Sequence, residues 1–150
     1  AASKPLRTEW KEITFKGDLV ELLPEDAEGP KKETLPGRFV GTGADLETVE
    51  PDESSPVVLV GDSHTLVFHA GGDLHATGAG LADQLAAELG LAVDLIGTRG
   101  SGATPVRMTF LRRVLRRKGY LEAKKVVVWC LSARELTEAF QGWQPLPVKP

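Results

Sequence analysis

Three short segments of this 150-residue chain hold residue types able to do chemistry: Gly61-Asp62-Ser63-His64-Thr65, the loop Gly97 to Gly102, and Cys130-Leu131-Ser132. Ser63 is a candidate nucleophile. A serine at a strand-to-helix turn projects its hydroxyl into a cleft, and the N–H groups of a following helix point at the same place. Asp62 can brace such a turn by accepting backbone N–H bonds, although Gly-Asp-Ser is also ordinary turn chemistry. The loop from Gly97 to Gly102 has glycine at 97, 100 and 102. It allows close backbone approach to a ligand, and Gly100 is the candidate for a second oxyanion N–H. His64, His69 and His75 follow the serine closely. His64 adjoins Ser63, so its ring points elsewhere. His69 and His75 are the candidate bases if their loop folds back, and polar loop residues otherwise.

Other chemistries fit less well. Asp62-x-His64 has a spacing that metal phosphoesterases use. A dinuclear site needs further carboxylate, Asn and His ligands from later strand ends, and no histidine follows His75. No metal and no cofactor is expected. The loop at 97–102 lacks the Gly-Lys-Ser/Thr of a phosphate-binding loop. Cys130 is the single cysteine, which excludes an internal disulfide and a Cys-rich zinc site. It reads as packing at a strand end.

The elements that must position these segments follow from the apolar pattern. Val57 to Val60 is a continuous β-branched and aliphatic run, as in a strand buried in a parallel sheet. Leu81, Leu85 and Leu89, with Ala82 and Ala86, recur at helical spacing up to Gly90. Ala92 to Ile96 predicts a second strand. Residues 105–118 predict a helix with Val106, Phe110, Leu111, Val114 and Leu115 on its apolar side. Val126 to Trp129 predicts a third buried strand, and Ala133 to Phe140 a last helix. Strands alternating with helices imply parallel βαβ units, hence an α/β fold of three layers. Ligands then sit past the carboxyl ends of the strands, where the three segments meet.

Length and composition fit one domain with a real core: 16.1 kDa, 41% hydrophobic, 26% charged. The net charge of -3 argues against nucleic acid as the main partner. No apolar run is long enough to span a membrane, and no signal peptide is visible. Residues 1–60 carry 7 Lys/Arg against 13 Asp/Glu, and residues 61–150 carry 11 against 8. Residues 1–55 therefore read as a peripheral, acidic, loop-rich segment, frayed over 1–11. Within it, 12–22 is a strand or short helix, 24–37 and 41–56 are loops, and Arg38 to Val40 is a short strand. Residues 56–150 read as the core. Arg107, Arg112, Arg113, Arg116, Arg117 and Lys118 form a basic cluster, read as a solvated helix face or as a patch for an anionic polymer.

With Gly61-Asp62-Ser63-His64 placed after the first buried strand, the chain resembles the SGNH hydrolase superfamily. It looks more specifically like the SGNH-like domain of the alginate-type O-acetyltransferases. The supporting stretches are Gly78 to Ala86, Val93 to Ile96, Gly100 to Ala103 followed by Arg107, Lys125 to Trp129, and Ala133 to Thr137. Gly17-Asp18-Leu19 fits the segment before the nucleophile block. The resemblance covers roughly residues 17–147. It implies a flavodoxin-like α/β/α sheet and a covalent acyl-serine on Ser63, with the N–H groups of Ser63 and Gly100 holding the oxyanion. It also implies an acyl donor, a carbohydrate acceptor such as an anionic polysaccharide, and an extracytoplasmic (periplasmic or secreted) location.

The chain departs from that pattern at three points. The Asp-x-x-His block near the C-terminus of ordinary SGNH hydrolases is missing. So is the upstream Asp-x-His-Trp of the alginate-type branch, since Trp10 is the only tryptophan before Ser63. Cys130-Leu131-Ser132 stands where Gly-x-Asn-Asp is usual. The expectation is the C-terminal portion of a longer enzyme, its Asp/His pair supplied by an upstream part of the same polypeptide. The alternative is a catalytically degenerate SGNH fold acting as a carbohydrate-binding or assembly module.

Overall fold

The computed structural model describes residues 5–17, 20, 22–24, 26–27, 32–100, 102–137, 140, 142–143 and 145–147. At its centre is a parallel sheet of three strands: β3 (Val57–Gly61) between β4 (Asp94–Gly97) and β5 (Val126–Cys130). β3 is buried along its whole length, as its unbroken apolar run requires. Helix α1 (Leu81–Leu89) joins β3 to β4. Helix α2 (Ala103–Arg116) and the short α3 (Tyr120–Ala123) carry the chain back across β3 to β5, and α4 (Arg134–Thr137) follows.

The strand period of two divides the core between the two faces. Val57 and Leu59 pack with Ala82, Val93 and Leu85 on the α1 side. Val58, Val60 and Ile96 pack with Val106 and Phe110 on the α2 side. The result is the expected α/β/α sandwich. α1 ends at Gly90, whose φ of 70° provides the left-handed cap that a side chain would strain.

β1 (Leu6–Phe15) and β2 (Glu33–Thr42) form a separate antiparallel ribbon. Its ties run to α1 and the loop before it. The Val40 amide donates to the Gly78 carbonyl at 2.7 Å, Gln84 Nε2 to the Arg38 carbonyl at 2.7 Å, and Arg38 pairs with Glu88 at 2.5 Å.

Four expectations are corrected. Leu6 to Lys11 is strand, not frayed chain, because it pairs residue by residue with Gly37 to Thr42. That half of β1 buries little, so hydrophobic patterning could not reveal it. The loop expected over 24–37 gives way to β2 at Glu33, with Pro36 and Gly37 inside the strand. α2 runs from Ala103 to Arg116 rather than 105–118, and Leu115 on its expected apolar side is 74% exposed. β5 exists but is not buried: Val126, Val127 and Trp129 are 49%, 53% and 42% exposed. It is an edge strand, whereas β3 is central. Residues 1–4, Leu19, Ser101 and the 138–139 part of the last expected helix lie outside the described residues.

Candidate active site

Register brings the three segments together. Gly61 pairs with Gly97 on one side and with Cys130 on the other, so the turns after all three strands share one end of the sheet. Gly61 itself is required there. A Cβ would fall onto the Thr65 side chain and 2.5 Å from the Cys130 carbonyl oxygen.

After Gly61 the chain makes one 3₁₀ turn over Ser63–Thr65, capped by Asp62. Asp62 is 5% exposed and uses both carboxylate oxygens. Oδ1 accepts the His64 backbone N–H at 3.0 Å and meets His64 Nδ1 at 2.9 Å. Oδ2 accepts the Ser132 N–H at 3.0 Å. Burial pushes the carboxyl up. The hydrogen bonds from the His64 side chain, the His64 amide and the Ser132 amide outweigh it and hold the group below the usual carboxylate value. Thr65 Oγ1 donates to the Asp62 carbonyl at 2.7 Å and closes the turn.

The expectation of a helix N-terminus directly behind Ser63 is corrected. Only the three-residue turn follows, and α1 begins at Leu81. The N-terminus of α2 is occupied by Glu135, whose Oε2 accepts the Ala103 N–H at 2.8 Å. A carboxylate there suits the positive end of a helix.

Ser63 opens on a cleft of about 720 Å³. Thr14, Phe15 and Lys16 at the end of β1 form one wall, Gly72 to His75 another, and Arg99 and Gly100 a third. The Phe15 ring holds the first two walls together, lying 4.6 Å from the His75 ring and 5.7 Å from Phe68. Arg99 pairs with Asp73 across the mouth. Gly100 has a φ of 78°, a left-handed conformation that glycine reaches without strain.

Three of the four candidate residues therefore share the cleft: Ser63, His75 and Gly100. His69 faces elsewhere. Its Nδ1 lies 2.9 Å from Asp83 Oδ2, in a small cavity lined also by Glu50, Pro51 and Val93. The Asp83 hydrogen bond raises the imidazole above its ordinary value, against the opposing effect of burial. Among the described residues no side chain bonds to the Ser63 hydroxyl, and no group of three or more His, Cys, Asp or Glu has a metal-binding arrangement. Burial, with the Asp62 charge adding to it, pushes the Cys130 thiol up. No helix among the described residues is long and apolar enough to cross a membrane.

Sequence reasoning missed Phe15, Lys16 and Glu135, and read Asp73 only as one of the carboxylates among the histidines. The first two lie some fifty residues before Ser63 in a segment read as peripheral, and only tertiary packing brings them to the cleft. Arg99 stood between two glycines of the singled-out loop and went unassigned. An acidic residue just after the third strand end was the signal that Glu135 offered.

No protein-family model and no curated protein matches the chain. Among solved structures it is similar to the O-acetyltransferase domain of Pseudomonas putida AlgJ, at 24% identity and a TM-score of 0.51. The match covers 86% of this chain and 40% of that one, so the chain spans less than half the length of this neighbour. The chain shares its fold with that domain.

Proposed function

We propose that this chain is the nucleophile-bearing part of a carbohydrate O-acetyltransferase or acetylesterase. The observation that carries the reading is Ser63 at the carboxyl end of the central strand, open to a cleft that also holds the left-handed Gly100, in a fold shared with an O-acetyltransferase domain. In the first step Ser63 Oγ attacks the acetyl carbonyl carbon, and its proton passes to a base. The N–H groups of Ser63 and Gly100 stabilise the oxyanion. The donor's bond to the acetyl group breaks, and the donor leaves with a proton. In the second step a sugar hydroxyl or water attacks the acyl-serine and releases Ser63.

Of the two histidine candidates, His75 lines the cleft with Ser63 and His69 lines another cavity, so His75 is the base candidate within these 150 residues. The Asp/His pair is assigned to an upstream part of the same polypeptide. A carbohydrate acceptor and an extracytoplasmic location belong to the same reading. A second reading, a degenerate carbohydrate-binding or assembly module, is favoured by one observation: no described side chain bonds to the Ser63 hydroxyl. A serine with no base beside it is a weak nucleophile.

The test is p-nitrophenyl acetate turnover with intact mass measured in parallel, for the chain and for Ser63→Ala. A single acetyl adduct that disappears in Ser63→Ala supports the enzyme reading. No adduct in either this chain or a longer polypeptide carrying the upstream segment supports the module.

A further inference from the structure

Two bulky residues in the loop between the Ser63 turn and α1 have a backbone of positive φ: Phe68 at 58° and His75 at 78°. Bulky side chains rarely accept that region. His75 goes further. Its ψ is -51°, and the Ala76 N–H donates to the Leu74 carbonyl across it at 3.0 Å. His75 is thus the centre of a γ-turn of the rare, strained hand. Strain of this kind persists only where the surroundings over-determine it, and it gathers at functional sites. Backbone bonds close the loop on itself. The Phe68 N–H donates to the Leu74 carbonyl at 2.9 Å, the Ala79 N–H to the Phe68 carbonyl at 2.8 Å, and Ala70 bridges to Thr77. The two strained residues also share one partner from a distant element. Phe15, the last residue of β1, lies 4.6 Å from the His75 ring and 5.7 Å from the Phe68 ring, and those two rings are 5.7 Å apart. β2 ties the ribbon to the same loop, through the Val40 N–H and the Gly78 carbonyl at 2.7 Å.

We propose that Phe15 is a positioning residue: with Phe68 it clamps the His75 imidazole in the cleft on which Ser63 opens, and so fixes the acceptor of the serine proton. The proposal rests on the reading above, in which His75 is the base candidate, and deepens it. The strained turn sets where the His75 backbone sits but leaves its side chain free to rotate. Contact with Phe15, at an interplanar angle of 33°, removes that freedom. A stacked ring is held by its face, so the hold itself uses neither ring nitrogen. His69 is held differently, by its Nδ1 on Asp83 at 2.9 Å. In the step that this serves, the imidazole takes the Ser63 proton as the bond from Oγ to the acetyl carbon forms. It returns the proton to the donor group as the donor's bond to the acetyl breaks. The antiparallel ribbon thereby gains a part in the chemistry, through one ring at its end.

The test is the rate of Ser63 acetylation by p-nitrophenyl acetate, followed by intact mass, in the chain, Phe15→Leu, Phe15→Tyr, His75→Gln and the double variant Phe15→Leu/His75→Gln. His75→Gln is expected to slow it about 100-fold and Phe15→Leu about 10-fold. Phe15→Tyr keeps the ring and restores most of the rate. The double variant is no slower than His75→Gln alone, because Phe15 acts through His75. An unchanged rate in Phe15→Leu or in His75→Gln overturns the proposal. So does a double variant slowed by the product of the two single effects, since Phe15 then acts on something else. Proton NMR of the histidine rings adds a readout that needs no turnover. The His75 ring protons are expected upfield of ordinary imidazole positions, from the ring current of Phe15, and return in Phe15→Leu. Unshifted protons in the unmodified chain overturn the clamp even if Phe15→Leu does not fold. A Ser63 adduct with the ring unshifted fails this proposal alone. A shifted ring with no Ser63 adduct in any protein fails the acyl-serine reading, and the role of Phe15 with it.

Discussion

Asp62 Oδ2 accepts the backbone N–H of Ser132 at 3.0 Å, which ties the turn carrying Ser63 to the segment after the edge strand. The same carboxylate holds the His64 amide. One side chain thus fixes the relative position of two of the three strand ends. Asp62→Ala leaves two amides of a half-closed site without their charged acceptor. We expect a loss of about 3 kcal/mol, seen as a melting temperature lower by roughly 10 °C. Asp62→Asn recovers part of it. The folded-state carboxyl sits below its ordinary value, so its contribution is complete above pH 3.8 and is lost as pH falls through the folded value. A thermal melt series in acid checks both.

Asp94 anchors the far end of the sheet. It is fully buried and meets Tyr120 Oη at 2.5 Å, Lys124 Nζ at 2.9 Å and Arg113 at 3.0 Å. Burial first, and then the hydrogen bond to Asp94, push the Tyr120 hydroxyl well above its ordinary value. The Lys124 side chain is only 2% exposed, so Asp94→Ala leaves a buried ammonium without this counter-ion, held by the Glu53 and Ser55 carbonyls. Urea unfolding should show a loss of about 3–5 kcal/mol. The basic cluster on α2 is partly accounted for by the same network, since Arg113 and Arg117 both pair with Glu53.

His69 makes stability fall toward alkaline pH. Asp83 raises the imidazole above 6.5, so its contribution is fully present below that value and lost as pH rises through the folded one. Melting temperatures between pH 6 and pH 9 should decline for this chain, and His69→Gln should flatten that decline. An equal decline in His69→Gln would assign the slope to another group.

Gly61 and Gly100 differ in why they are glycine. Gly61→Ala meets the Thr65 side chain and the Cys130 backbone, and the cost is about 2–3 kcal/mol of overpacking. Gly100→Ala meets no neighbour within 4 Å and carries only the strain of a φ of 78°, about 1 kcal/mol. Denaturant titration of the two variants checks the order.

The sequence by itself determined the central sheet and its order of use. Val57 to Val60 announces itself because a strand buried on both faces needs an unbroken apolar run, and Leu81 to Leu89 because apolar residues recur at helical spacing up to Gly90, although Leu81 and Leu89 are themselves 37% and 47% exposed. The meeting of Ser63 with the loop around Gly100 followed from parallel topology alone. Tertiary structure decided the rest. β1 exposes most of its side chains, so no hydrophobic pattern marks its first half, yet its end supplies Phe15 and Lys16 to the cleft. His69 and His75 lie six residues apart, and nothing local separates a base candidate from a partner of Asp83. That choice rests on how the loop from Leu66 to Gly80 folds against α1 and Phe15. The same limit holds for β5: apolar composition says that a strand is fit to be buried, and only its neighbours in space decide whether anything covers it.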